Sequence, residues 1–182
     1  MNKYVIAAPS FMVELNKKFA SLMRNRSIQQ QVIKDAIDYS EDMTEDEVLE
    51  RAFNEIYPAW MEDLERRGTF EDNGLVVYRG ISAEGPEDID KDKVGIYWTW
   101  DQGKADNYSG INTELPLQIL TALVSIDDID LKETFVKLVW PGYDFDESER
   151  EVTLKSGRKV KLLDNPDQHA KATLIAALKK IL

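Results

Sequence analysis

Two glutamates separated by one residue, Glu149 and Glu151, stand in the run Ser148-Glu149-Arg150-Glu151-Val152-Thr153-Leu154. Carboxylates placed together can stabilise a positive charge as it develops or take up a proton, the tasks of a charge stabiliser and a general base. Upstream, Val76-Val77-Tyr78-Arg79-Gly80 ends an apolar run in an arginine, whose planar fork matches phosphate oxygens. Gly80 then lets the backbone come close to a ligand. Between the two runs lies Gly95-Ile96-Tyr97-Trp98-Thr99-Trp100-Asp101, where Thr99 is the single aliphatic hydroxyl among aromatics. Each piece taken alone has a plainer account. The glutamates fit a solvated strand edge, Arg79 an ion pair with one of the 34 acidic residues, and Thr99 cross-strand packing. What distinguishes them is their order along the chain.

Strands must position these side chains. If 149–154 is extended, residues two apart share a face with Cα atoms roughly 6.5 Å apart, which predicts Glu149 and Glu151 side by side. In the same geometry Trp98 and Trp100 face away from Thr99. Apolar patterning predicts strands over 75–79, 95–100, 119–126, 134–140, 149–154 and 159–163, with Gly157 turning the last two into a hairpin. Ahead of them the pattern is helical. Phe11, Met12, Leu15, Phe19, Leu22 and Met23 form one helix face. Ser27 is expected to cap a second helix burying Ile28, Val32, Ile33, Ala36 and Ile37. Thr44 and Glu47 predict a capping box for a third, with Val48, Leu49, Ala52, Phe53, Ile56, Trp60 and Leu64 inside, a kink or split at Pro58 and an end at Gly68. A last amphipathic helix is expected over 168–182. Helices first and strands later predict one α+β domain with a mostly antiparallel sheet.

In this order the motifs resemble those of the mono-ADP-ribosyltransferases of the arginine, Ser-x-Ser, Glu-x-Glu class, in particular small phage-encoded members. Val77-Tyr78-Arg79-Gly80 is similar to their first strand. Tyr97-Trp98-Thr99-Trp100-Asp101, with Ala105 and Tyr108-Ser109-Gly110, is similar to the Ser-x-Ser strand and the short helix behind it, Thr99 taking the second hydroxyl position and Tyr97 the first. Glu149-Arg150-Glu151-Val152-Thr153-Leu154 and Gly157 are similar to the Glu-x-Glu strand and its turn. The likeness covers 75–163, and residues 1–70 form a helical region beside it.

The resemblance implies an ADP-ribosyltransferase-like split sheet and NAD as co-substrate, with no metal. It implies that Glu151 stabilises the charge formed on the ribose, that Glu149 positions or deprotonates an acceptor, arginine for this class, and that Thr99 holds Glu151. Arg79 and Gly80 would bind the cofactor, with Tyr108 and Trp100 packing near it. The partner would be an unidentified protein, of the bacterial host if the chain is phage-encoded. On the same fold, water as acceptor would make an NAD glycohydrolase, and a relative without catalysis would be an interaction or virion protein.

The remaining features narrow the field by exclusion. The net charge of −11 argues against nonspecific nucleic-acid binding. The chain contains no cysteine, which removes thiolate chemistry and disulfides. His169 is the sole histidine, so a Ser-His-Asp triad has one place to stand. Asp88, Asp90 and Asp92 begin like a calcium loop, but Lys93 and Thr99 occupy the positions that need glycine and glutamate. No apolar run nears the ~20 residues of a membrane span, and the first residues are too weakly apolar for a signal peptide, so a cytoplasmic protein is expected.

Overall fold

The apolar stripe at Phe11, Met12, Leu15 and Phe19 becomes the buried face of α1 (Ser10–Met23), as its spacing predicts. The computed structural model describes residues 10–37, 43–107, 115–138 and 150–163; the expected helix 168–182, His169, Trp140, Tyr108 and Glu149 lie outside these. α2 (Arg26–Ile37) begins two residues sooner than a Ser27 cap allows, because the Asn25 side chain accepts from the Ser27 N–H at 3.0 Å. Ile28 and Val32 are buried as expected.

Thr44 caps α3 (Glu45–Arg51) with the expected reciprocal box: its hydroxyl accepts from the Glu47 N–H at 3.3 Å, and its own N–H donates to the Glu47 carboxylate at 2.8 Å. The interruption near Pro58 takes the form of a π turn over Ala52–Ile56, closed by the Tyr57 N–H on the Ala52 carbonyl; α4 (Tyr57–Arg67) then carries Pro58 in its first turn. The spacing of the core residues explains this. Buried at Val48, Ala52, Ile56, Trp60 and Leu64, the stripe repeats every four residues. On an unbroken α-helix it would drift by about 160°, off the core. A π turn absorbs one extra residue, about 100° of that drift. Gly68 ends the helix, its N–H on the Leu64 carbonyl at 2.8 Å.

β1 (Phe70–Glu71) and β2 (Gly74–Ser82) form a tight hairpin whose two turn residues, Asp72 and Asn73, are both left-handed, the mirror-image turn that matches strand twist. β2 pairs with β4 (Leu117–Val124) along its whole length, from Leu75 opposite Val124 to Ser82 opposite Leu117. On its other side β2 meets β3 (Tyr97–Thr99) at one registered pair, Tyr78 with Thr99. β5 (Glu151–Thr153) adds to β3 and β6 (Lys161–Leu163) to β4, giving the order β5-β3-β2-β4-β6, antiparallel throughout. The protein is thus α+β, with helices preceding an antiparallel sheet.

Two further expectations fail. Residues 134–138 do not form a strand but the end of α6 (Leu131–Leu138). Asp130 starts this helix, its carboxylate accepting from the Glu133 N–H at 3.1 Å and its carbonyl from the Thr134 N–H at 2.9 Å. Leu131, Thr134, Phe135 and Leu138 then share a helical face, a period that the alternation of Thr134, Val136 and Leu138 obscured in so short a window. The hairpin of the last two strands is also absent. Gly157 makes its turn, at φ +75°, yet β5 and β6 sit at opposite edges of the sheet. The outer edge of β5 is already taken: the Thr153 N–H donates to Thr134 Oγ1 at 3.0 Å, and the Thr153 carbonyl accepts from Asp130 at 2.8 Å. A turn residue reverses the chain locally but does not choose its partner.

One face of the sheet, with Leu75, Val77, Trp98, Ala122, Val124 and Val152, packs on the helical layer in a single apolar core. Phe19 stands edge-on to Trp60, and Trp60 edge-on to Trp100 with ring centroids 5.2 Å apart. Among the described residues no helix is long and apolar enough to cross a membrane.

Candidate functional site

Where β3 departs from β2, a cleft of about 270 Å³ opens. β2 contributes Tyr78, Arg79 and Gly80 to its walls, β3 contributes Tyr97, Trp98 and Thr99, and β5 contributes Glu151. The short helix α5 (Gln102–Asn107) closes one side with Ala105. Directly paired residues of an antiparallel sheet point to the same face. Thr99 is paired with Tyr78 on one side and Glu151 on the other, so these three side chains form a row across three strands. Trp98 pairs with Val152 on the buried face, in line with the alternation expected around Thr99.

Alternation turns Arg79 toward the same face as Val77, and its guanidinium fills the gap left by the parting strands. It donates to the Tyr97 carbonyl and lies flat against Gly95. A β-carbon on Gly95 would come within 2.8 Å of Arg79 Nη2, and the residue's φ of +78° also favours glycine. Burial pushes the guanidinium below its ordinary pKa while the charge of Glu151 opposes that shift. Arg79 Nε is buried with no hydrogen-bond partner among the described residues. Gly80 serves a purpose the sequence did not suggest. It lies within β2 rather than at a turn, and a β-carbon there would collide with the Ala105 carbonyl of α5. The close approach it permits is that of a helix.

Glu151 is half-buried and paired with Lys137 of α6, whose Nζ stands 3.1 Å from Oε1. The same ammonium lies 3.4 Å from the centroid of the Tyr97 ring, a cation–π contact. Glu151 therefore faces two cations, Arg79 and Lys137. Nothing in the motif spacing pointed to Lys137; reading 134–140 as a strand hid the helix that presents it.

Arg150, between the two glutamates, is the other residue the motif concealed. It adopts φ +51°, a left-handed conformation costing a residue with a β-carbon roughly 1–2 kcal/mol. β5 begins at Glu151, and the expected placing of Glu149 beside it lies outside the described residues. The Arg150 carbonyl accepts from Thr99 Oγ1 at 3.0 Å and from the Trp100 N–H at 3.1 Å. Thr99 Oγ1 in turn accepts from the Asp101 N–H at 3.1 Å. The hydroxyl expected to hold Glu151 thus grips the peptide unit that leads into it.

The Arg150 side chain bridges two carboxylates, Nε to Asp63 at 2.6 Å and Nη1 to Asp101 at 2.5 Å. Asp63 is almost fully buried. Burial alone would raise its pKa, but hydrogen bonds from Arg150 and Arg66 hold it below the ordinary value.

Of the residues singled out in the sequence, Arg79, Gly80, Thr99 and Glu151 meet at one cleft. Trp100 does not join them. It is buried against Trp60 in the core, facing away from Thr99 as the buried Trp98 does. Glu149 and Tyr108 lie outside the described residues. Compared with known protein families, characterised proteins and solved structures, the chain matches none.

Proposed function

We propose that the protein is an NAD-dependent mono-ADP-ribosyltransferase acting on a protein side chain, arginine being the acceptor for the class its motifs resemble. One observation carries this reading: Arg79, Thr99 and Glu151, separated widely in sequence, line one cleft, with Thr99 registered directly opposite Glu151. The residues fit one end of the co-substrate. Small-molecule sites span roughly 300–1,000 Å³, so the described cleft suits part of a dinucleotide, and the Arg79 guanidinium lining it suits a phosphate.

NAD supplies a glycosidic bond whose cleavage develops positive charge on the ribose, as in glycoside hydrolysis. The Glu151 carboxylate, fixed before the reaction begins, offsets that charge most effectively in the transition state. Thr99 keeps the Arg150–Glu151 peptide from rotating, which limits where the carboxylate can go. Lys137 must yield its place beside Glu151 for the full negative charge to act. Glu149 is assigned the acceptor's proton by the resemblance alone.

A second reading, a binding protein that does not turn over NAD, is favoured by the Lys137–Glu151 pair, which leaves the carboxylate already neutralised. Incubation with labelled NAD and a bacterial lysate, followed by mass spectrometry, separates the two. The proposal expects labelled protein with the native chain and none with Glu151→Gln. Absence of both labelling and nicotinamide release from the native chain would reject it.

A further inference from the structure

We infer that Arg150 is a positioning residue: by pairing with Asp63 of α4 and Asp101 ahead of α5, it fixes the start of β5 and so holds the Glu151 carboxylate in the cleft. The inference deepens the reading of Glu151 given above and rests on it for its catalytic arm.

The backbone of Arg150 is held in a conformation it would not choose. A left-handed φ in a residue other than glycine persists only where the surroundings impose it. Here the surroundings act on both ends of the residue. Its carbonyl is pinned by Thr99 Oγ1 and the Trp100 N–H, and its guanidinium by carboxylates from two separate elements. Glu151 follows at the next peptide. If residue 150 relaxed to an ordinary φ, the chain entering β5 would change direction at the position that aims the carboxylate.

The two acids are not interchangeable supports. Asp63 gives Oδ1 to Arg66 at 3.1 Å and Arg67 at 2.9 Å, leaving Oδ2 to Arg150. Arg66 and Arg67 are exposed, whereas the Arg150 side chain is 13% exposed, so Arg150 is the cation that meets Asp63 inside the protein. Asp101 uses Oδ1 to cap α5, accepting from the Gly103 N–H at 2.9 Å, and gives Oδ2 to Arg150. α5 is the helix that presses on Gly80 across the cleft. Through one guanidinium the helical layer, α5 and the strand bearing Glu151 are therefore tied together. A lysine cannot replace this tie, since a single ammonium lacks the fixed divergent donors that reach both acids. The helical region thereby gains a role in the site without contacting the cleft.

The test compares Arg150→Gln and Arg150→Lys with the native chain in NAD turnover, under conditions where thermal melts show each fully folded. Displacing a reacting group by about 1 Å costs on the order of 10²-fold in rate. We expect kcat to fall by that factor with KM for NAD nearly unchanged, and Arg150→Lys to recover stability but not rate. In a Glu151→Gln background, Arg150→Gln should remove no further activity, because it acts through the carboxylate already lost. Additive losses in the double variant, or a loss that only tracks the unfolded fraction, would overturn the inference. Hydrogen exchange supplies an arm independent of activity. In Arg150→Gln the Trp100 amide should lose protection while the β2–β4 ladder keeps its own; unchanged protection at Trp100 would overturn the inference as well. A native chain that never turns over NAD rejects the proposed function, and the exchange arm still decides whether Arg150 fixes β5. Should Arg150→Gln not fold, Asp101→Asn keeps the α5 cap and weakens the tie, and about a tenfold fall in kcat with the same loss at Trp100 is expected.

Discussion

Along its β4 side, β2 is paired from Leu75 to Ser82, whereas along its β3 side it makes one registered pair, Tyr78 with Thr99, before the strands part. The first seam satisfies backbone donors and acceptors in a ladder and backs them with apolar side chains such as Leu75, Val77, Ala122 and Val124. The second leaves a gap filled by a guanidinium, an exposed tyrosine ring and a carboxylate. One strand thus carries a fully paired seam on one side and a cleft lined by polar side chains on the other. Arg79 and Val77 show the division within a single face of β2, two residues apart.

The division can be broken from either side. Leu75→Ala, on the ladder, should cost about 2–5 kcal/mol of stability by opening a cavity. The folded fraction should retain native kcat in cooled assays; a fall in kcat per folded molecule would show that the seams are not separate. Glu151→Gln, in the gap, should do the reverse. It is expected to lose on the order of 10²–10³-fold in transfer, equivalent to roughly 3–4 kcal/mol of transition-state stabilisation, with an unchanged melting temperature.

Thr99→Val blurs the contrast, since the hydroxyl both lies in the row with Glu151 and pairs backbone groups. Removing it leaves the Asp101 N–H without that acceptor, so about 1–3 kcal/mol of stability should go together with a tenfold to hundredfold fall in rate. Loss of rate at full stability would instead point to a bond made in the transition state alone.

Arg79→Lys should raise the dissociation constant for NAD about tenfold by calorimetry, because an ammonium loses the fork. Equal affinity would remove Arg79 from the binding site. The smallest effect is expected at Lys137→Met, which keeps the stem and deletes the charge. A partly exposed pair is worth roughly 0.2–1 kcal/mol, so relieving Glu151 should raise turnover by up to about fivefold. A decrease would mean that Lys137 helps to bind substrate.

Periodic signals and the Thr44 box in the sequence were sufficient for the helical region, apart from the start of α2, which Asn25 rather than Ser27 sets. Four residues lining the cleft were also legible, because their types stand in a recognisable order and spacing. Three things were hidden, for different reasons. A short amphipathic segment at 131–138 fits both periods, and Asp130 decides in favour of helix only once its hydrogen bonds are seen. The positions of β5 and β6 depend on which strand edges remain open, a property of the assembled sheet. Arg150 stays hidden because a motif records what its ends do; its own partners, Asp63 and Asp101, lie 87 and 49 residues away.

The π turn at Ala52–Ile56 ties the site to the helix geometry of a place remote from it. A π turn is an α-helix carrying one inserted residue. Deletion of a single codon within it would let the helix close into regular α geometry with α4 left in place, whereas closure at unchanged chain length would rotate α4 by about 100° against α3. Trp60 would swing away from Trp100, and Asp63 would no longer meet Arg150. Loss of the π turn with every residue kept, a change invisible to any motif, would thereby release the guanidinium and with it the strand that bears Glu151, while an in-frame loss of one residue there would spare both.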